Sequence, residues 1–344
     1  MANGLRYFGK KNEEYLCRVA QILPLIGLTT YCDCCFGSGN FTRIISCEMR
    51  NINRVAFELD KGLYALHKTI KSNDVLKLID MIKTVINSRE DYKKYEEIVK
   101  NYNSKIKEYP EIEVALAELV LIYFSMNNGR TNWRNKDSYK KYENEIKRSQ
   151  SRLQLQAMTD KFYNRLPGDL YDLHCAWQEV DIINDDFRNH YEELYCNEKA
   201  FLFIDPPYLL DKRGRKRDGT AKNAGYDMDW ELKDHEDFVG EIIRYHHENK
   251  LHAKLMICSN FEVDDNGLII GIDDDPYIRL MKDAGFRLVI VQEKFSSEIK
   301  TREGGHKKKK VEVVFINYQH DNIVGSWDNF RYFDAEDLNS TLRI

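Results

Sequence analysis

Two textures of apolar and polar positions alternate along this chain and divide it into three stretches. In residues 1–79, short apolar runs alternate with helical spacing. Residues 13–23 repeat apolar positions at helical intervals and stop at Pro24, which has no amide hydrogen for another turn. Residues 27–33 read as a strand running into Phe36-Gly37-Ser38-Gly39-Asn40. A helix over 41–50 and a strand over 54–57, ending at Glu58, complete a βαβ unit. From about 80 to 170, Tyr, Lys and Glu dominate, glycine is scarce and the 3.6-residue period persists. Pro110 opens one apolar helix there, and Pro167-Gly168 is expected to close the segment. From about 176 the first texture returns, with strands predicted over 180–183, 200–204, 255–258, 286–295 and 311–318. A basic, glycine-containing loop without a helix joins the last two, which predicts an antiparallel hairpin at the sheet edge. The expected organisation is therefore an α/β domain from 1–79 and 176–344, with an inserted helical domain over 80–175.

The junction after the fourth predicted strand carries the most chemistry. Ala200-Phe201-Leu202-Phe203-Ile204 is a fully apolar run bounded by Glu198-Lys199 and by Asp205-Pro206-Pro207-Tyr208. Proline cannot donate to a sheet ladder, so the strand ends there, and a residue preceding proline is held extended. Such a strand end presents a carboxylate from Asp205, the carbonyl of Pro206 and the aromatic face of Tyr208. A flat ligand with an exocyclic amine suits that set: two acceptors for its hydrogens and a ring to stack on. A nucleobase is the obvious candidate.

The first predicted strand ends in Asp33-Cys34-Cys35-Phe36-Gly37-Ser38-Gly39. Glycines after a strand allow a tight turn and close approach of a ligand to the backbone. Glu58, nineteen residues after Gly39, is placed to accept hydrogen bonds from the hydroxyls of a ribose. A dinucleotide fingerprint would carry a third glycine where Thr42 stands, so the pattern favours an adenosyl cofactor without a pyrophosphate. Asp186 and Phe187, following the strand at 180–183, are candidates to bind an adenine amine and pack on its ring. Ser259-Asn260 is a weaker candidate for the same rim. Cys32 and Cys35 form a C-x-x-C, but no second pair lies at zinc spacing, so buried structural cysteines and no metal are expected.

Composition adjusts this picture in three places. With 344 residues, 42% hydrophobic, the chain can build a full core and a smaller unit. The longest apolar stretch, 114–124, is too short to span a bilayer and contains Glu118, and the N-terminus lacks a secretory apolar region. Eight scattered cysteines fit reduced thiols, and together these features point to the cytoplasm and away from membranes. The net charge of −4 conceals two basic blocks, Lys212-Arg213-Gly214-Arg215-Lys216-Arg217 and His306-Lys307-Lys308-Lys309-Lys310. The first begins four residues after Tyr208, where it can meet a phosphate backbone.

Taken in order, these motifs resemble the Dam-like family of S-adenosylmethionine-dependent DNA adenine-N6 methyltransferases. Tyr7-Phe8-Gly9-Lys10-Lys11 is similar to the family's N-terminal aromatic-Gly-Lys motif, which assigns Tyr7 and Lys11 to the cofactor. Asp33 to Gly39 resembles its glycine loop, with Cys34-Cys35 standing where the family has Pro-Phe. Glu58 takes the place of the ribose-binding acid. Asp186-Phe187 resembles the pair before the catalytic strand, and Asp205-Pro206-Pro207-Tyr208 matches the catalytic tetrapeptide in full. Residues 310–318 resemble the closing strand. The segment 127–135 faintly resembles the target-recognition motif and contributes Arg130 and Arg134 as DNA contacts, beside Arg213, Arg215, Arg217, Lys308 and Lys309.

The resemblance implies a Rossmann-like class I methyltransferase fold with a mostly parallel sheet, an antiparallel edge hairpin and an inserted helical target-recognition domain. It further implies double-stranded DNA as partner, an adenine flipped out of the duplex, and catalysis by Asp205, Pro206 and Tyr208, and it leaves open a restriction endonuclease as a further partner. N4-cytosine methylation, RNA adenine methylation and a non-catalytic DNA-binding regulator are the rival readings.

Overall fold

The run Ala200–Ile204 forms a five-residue strand whose every residue is buried, and it lies in the middle of the sheet. The computed structural model describes residues 5, 13–24, 26–46, 51–86, 88–125, 153, 155–207, 230–264, 269–270, 275–295, 309–319 and 330–339. Within them the strands are β1 (Thr30–Asp33), β2 (Asn53–Phe57), β3 (Val180–Ile183), β4 (Ala200–Ile204), β5 (Lys254–Val263), β6 (Ile269–Ile270), β7 (Arg287–Phe295), β8 (Lys309–Ile316) and β9 (Arg331–Phe333). Their order across the sheet is β3-β2-β1-β4-β5-β8-β7-β9, with β6 pairing on β5. The contacts from β3 to β5 are all parallel, and those of β8 with β5 and β7 are antiparallel. The chain is thus α/β with a mostly parallel sheet, compatible with a Rossmann-like fold.

Helices cover both faces, as a parallel sheet requires. They are α1 (Glu13–Ala20), α2 (Asn40–Ile45), α3 (Lys61–Lys71), α4 (Val75–Ile82), α5 (Arg89–Asn103), α6 (Glu111–Phe124), α7 (Leu166–Trp177), α8 (Tyr191–Tyr195), α9 (Leu232–His247) and α10 (Ile278–Ala284). The two-residue period of β4 shows how the core divides. Phe201 and Phe203 pack with Tyr15, Leu16 and Val19 of α1 and with Phe41 and Ile45 of α2. Leu202 and Ile204 pack on the opposite face, against Phe238, Val239 and Ile242 of α9. A third cluster joins α3 to α7 with Ala56 of β2 and Val180 of β3. At its centre is α6, buried on all sides from Val114 to Phe124, which accounts for an apolar run that is helical and internal. Among the described residues no helix is long and apolar enough to cross a membrane.

Several elements differ from the sequence-based expectation. Pro167 and Gly168 do not close the helical segment: α7 begins at Leu166 and carries Pro167 in its first turn, where a missing amide costs nothing. A single π-helical turn, Lys161–Arg165, leads into it. Consequently a helix runs across the expected boundary at 175. Strand β5 is longer than 255–258, so Ser259 and Asn260 lie within it, paired with Val313 and Glu312 of β8. The hairpin of β7 and β8 is present, but β8 inserts between β5 and β7, and the three residues of β9 take the outer position.

Candidate functional site

In this order β1 lies between β2 and β4, so the chain leaves β1 towards one side of the sheet and later fills the other. A crevice opens at the carboxyl ends of strands flanking such a reversal, and ligands of open α/β sheets bind there. Asp33 ends β1, and Asp205 follows directly on β4, its neighbour. The structure therefore brings the glycine loop and the Asp-Pro-Pro junction, 172 positions apart in the chain, to one rim. Asp205 and Pro207 are half-buried and Pro206 is buried.

The loop after β1 is tied to both neighbours. The Cys34 amide donates to the Phe203 carbonyl at 2.9 Å, and the Phe36 amide to the Phe57 carbonyl at 3.0 Å. Gly37 and Gly39 then take φ of 50° and 64°, the left-handed region that glycine enters without strain. At Gly39 the requirement is also one of space, because a Cβ would lie 2.8 Å from the Phe36 ring and 2.9 Å from Trp177. Glu58 holds the turn from the end of β2. Its Oε2 accepts the Gly37 amide and its Oε1 the Asp60 amide, both at 2.9 Å.

Behind the turn stands His67 of α3, unforeseen in the sequence. Its Nε2 lies 2.7 Å from the Gly37 carbonyl, so Nε2 carries the hydrogen and donates. Its ring packs 4.5 Å from Phe36 and 4.6 Å from Trp177. Burial pulls its pKa down to about 4, so it is neutral at pH 7. Its only sequence signature is a polar residue on an otherwise apolar helix face.

Asp33 is 2% exposed. Its Oδ2 accepts the Thr42 hydroxyl at 2.7 Å, and the Tyr31 hydroxyl lies 3.3 Å from the same oxygen. Thr42, noticed in the sequence only for not being glycine, thus orients the carboxyl that ends β1. Oδ1 is buried with no hydrogen-bond partner, the Cys35 amide facing the carboxyl without reaching bonding geometry. Burial raises the Asp33 pKa to about 7, the Thr42 and Tyr31 hydroxyls oppose the rise, and the Asp205 carboxylate adds to it. The influence of Asp205 also reaches the Cys35 thiol and the phenols of Tyr15 and Tyr277, all pushed up chiefly by burial.

On the β3 side the expected residues are engaged differently. Asp186 receives Arg188 through its backbone amide and its guanidinium, the shortest contact being 2.7 Å, and Arg188 also lies 4.8 Å from the centre of the Trp230 ring. Phe187 is 3% exposed, stacked on Trp230 and edge-on to Phe238. Its ring therefore belongs to the core under this corner, with no open face for a ligand. Nearby, His235 Nδ1 meets the Tyr277 hydroxyl at 2.8 Å, a buried pair that no sequence motif announced.

Tyr7, Lys11, Tyr208, Arg130, Arg134, Arg213, Arg215, Arg217 and Lys308 lie outside the described residues, and Lys309 is described only as the first backbone position of β8. Among the described residues no three His, Cys, Asp or Glu side chains gather as a metal site. Cys32 and Cys34 stand with sulfurs 3.7 Å apart inside the core. His246 and His247 are exposed at the end of α9. No family model matches the chain, and no curated protein matches it either.

Proposed function

We propose that the protein is a site-specific DNA methyltransferase that moves a methyl group from S-adenosylmethionine to N6 of an adenine flipped out of the duplex. The observation that carries this reading is the meeting of Asp33, the Glu58-held glycine turn and Asp205-Pro206 at the reversal point of the sheet. The charge of that rim supports a cofactor without phosphates. Asp33, Glu58 and Asp205 surround a turn whose Gly37 amide already donates to a carboxylate, an arrangement that repels a pyrophosphate and suits a cation. Asp33 Oδ1, buried and without a partner, fits a ligand bearing positive charge or a donor. Glu58 is of the type that accepts ribose hydroxyls, since each oxygen of a carboxylate can accept more than one hydrogen bond.

When bound, S-adenosylmethionine supplies an electrophilic methyl group on a sulfonium. This chain's part is to prepare the amine and to keep it in place. The lone pair of adenine N6 is delocalised into the ring. Acceptors on both amino hydrogens, the Asp205 carboxylate and the Pro206 carbonyl, favour pyramidalisation and stabilise the charge that develops on nitrogen. Pro207 keeps Pro206 extended, which fixes the direction of that carbonyl. In this reading Tyr208 stacks on the flipped base, and Arg213, Arg215, Arg217, Lys308 and Lys309 meet phosphates. The helices of 80–175 read the target with Arg130 and Arg134. Tyr7 and Lys11 close over the cofactor, and the enzyme works in the cytoplasm of a bacterial or phage-infected cell, with or without a restriction endonuclease.

Incubation with methyl-labelled S-adenosylmethionine and unmethylated genomic DNA, followed by digestion to nucleosides, tests the proposal. Label in N6-methyldeoxyadenosine is the expected result. Label on cytosine or only on RNA would replace it with one of the rival substrates, and no transfer despite cofactor binding would leave the regulator.

A further inference from the structure

We propose that His67 is a positioning residue for the cofactor: it fixes the Gly37–Ser38 peptide in the orientation that presents the Ser38 amide to an oxygen of S-adenosylmethionine. This rests on the cofactor reading above and adds a residue that no motif of that reading contains. Gly37 is gripped at both of its backbone groups. Its amide donates to Glu58 Oε2 at 2.9 Å, and its carbonyl accepts from His67 Nε2 at 2.7 Å. Its φ of 50° lies where glycine is at ease, and a residue so permissive lets the peptide that follows it turn over at little cost. The bond from α3 removes that freedom. In a trans peptide the carbonyl and the next amide point in opposite directions. With the Gly37 carbonyl directed at His67, the Ser38 amide is directed away from it. Ser38 is half-buried, and among the described residues its amide donates to no protein acceptor.

Packing alone does not account for a histidine at this place. His67 is fully buried, its ring 4.5 Å from Phe36 and 4.6 Å from Trp177. Because Nε2 donates, the neutral ring offers Nδ1 as an acceptor, and that atom is buried with no hydrogen-bond partner. An apolar side chain would fill the same space without stranding a polar atom. What histidine supplies, and an apolar residue cannot, is the hydrogen on Nε2. The same two rings bound the space at Gly39, so one aromatic cluster seats both glycines of the turn.

Calorimetric titration of the full chain with S-adenosylmethionine tests this, comparing the unaltered protein with His67→Gln and His67→Met. Glutamine and methionine have side chains of the same length and both lose the ring packing, but only glutamine carries a terminal N–H to replace that of Nε2. His67→Met is expected to weaken S-adenosylmethionine about tenfold, and His67→Gln to stay within about threefold of the unaltered protein. In methyl transfer the loss should appear as a higher KM for S-adenosylmethionine far more than as a lower kcat. Equal weakening in both variants would make His67 a packing residue, and unchanged affinity in His67→Met would show that the turn does not need it. Either result overturns the inference while leaving the cofactor site intact. The unaltered protein provides a check that needs no variant. Nitrogen-15 NMR at pH 7 should find the His67 hydrogen on Nε2, and the Ser38 amide proton should move downfield when S-adenosylmethionine is added. Hydrogen on Nδ1, or a Ser38 amide that the cofactor leaves unmoved, would overturn the inference even where neither variant folds. Failure of the unaltered protein to bind S-adenosylmethionine would remove the cofactor reading and this inference with it.

Discussion

The two halves of the strand-end rim treat their carboxylates in opposite ways. On the β2–β3 side, Glu58 receives two backbone amides and Asp186 receives a guanidinium, so the fold itself supplies donors to both acids. On the β1–β4 side, Asp33 keeps one oxygen without a partner and faces the charge of Asp205. A folded chain normally satisfies its buried polar atoms, and an exception at the mouth of a crevice is where a ligand's contribution is expected. On the function proposed above, the difference separates acids that build the site from acids that act in it.

The largest effect should come from the acting side. Asp205→Ala is expected to lower methyl transfer by at least about a thousandfold, while S-adenosylmethionine still binds, measured by labelled transfer and by calorimetry. Transfer within tenfold of the unaltered protein would dissolve the distinction at its strongest point. Next is Asp33→Asn, read as stability against pH. The folded pKa lies above the unfolded one, so the stability that Asp33 contributes is complete below about pH 4 and disappears as the pH rises through about 7. Urea denaturation of the two proteins should show their difference changing by up to about 4 kcal/mol between pH 4 and pH 8, always in favour of the variant at high pH. A pH-independent difference would show that Asp33 titrates in an ordinary environment.

The building side predicts losses of fold before losses of chemistry. Gly39→Ala must accept a left-handed backbone and a Cβ against Phe36 and Trp177, and a loss of about 2–3 kcal/mol is expected from thermal or urea unfolding. The smallest change belongs to the partly exposed ion pair: Arg188→Ala should cost under about 1 kcal/mol from the lost pair and leave transfer nearly intact. A large kinetic defect in Arg188→Ala would move Asp186 to the acting side.

Legibility in the sequence follows how locally each feature is determined. Strands β3 and β4 fall on their predicted residues because a short apolar run between polar punctuation needs no distant partner to be recognised. The Asp33 turn, Glu58 and the Asp-Pro-Pro junction were legible for the same reason, each lying at the end of such a run. What was hidden depends on contacts across the fold. His67 is defined by a carbonyl thirty positions earlier, and Thr42 by a carboxyl nine positions away across a turn. Phe187 looked available for stacking, and only the ring of Trp230, far along the chain, shows it to be core. Strands β6 and β9, two and three residues long, carry too little periodicity to be seen at all.

The placement of β8 between β5 and β7 also dictates when this protein can fold. Helix α1 is synthesised well before the strands it packs on: its Tyr15 meets Cys258, and Arg18 donates to the carbonyl of Val291 in β7. Strand β5 meanwhile waits for β8, which begins 46 residues after β5 ends, before its second edge is covered. Because non-local pairings cannot repay loop closure until both partners exist, a nascent chain that stops before Ile316 exposes the apolar face of α1 and an open edge of β5. Maturation should therefore be a late, cooperative event in synthesis, and chains halted before β8 should be the species that chaperones hold.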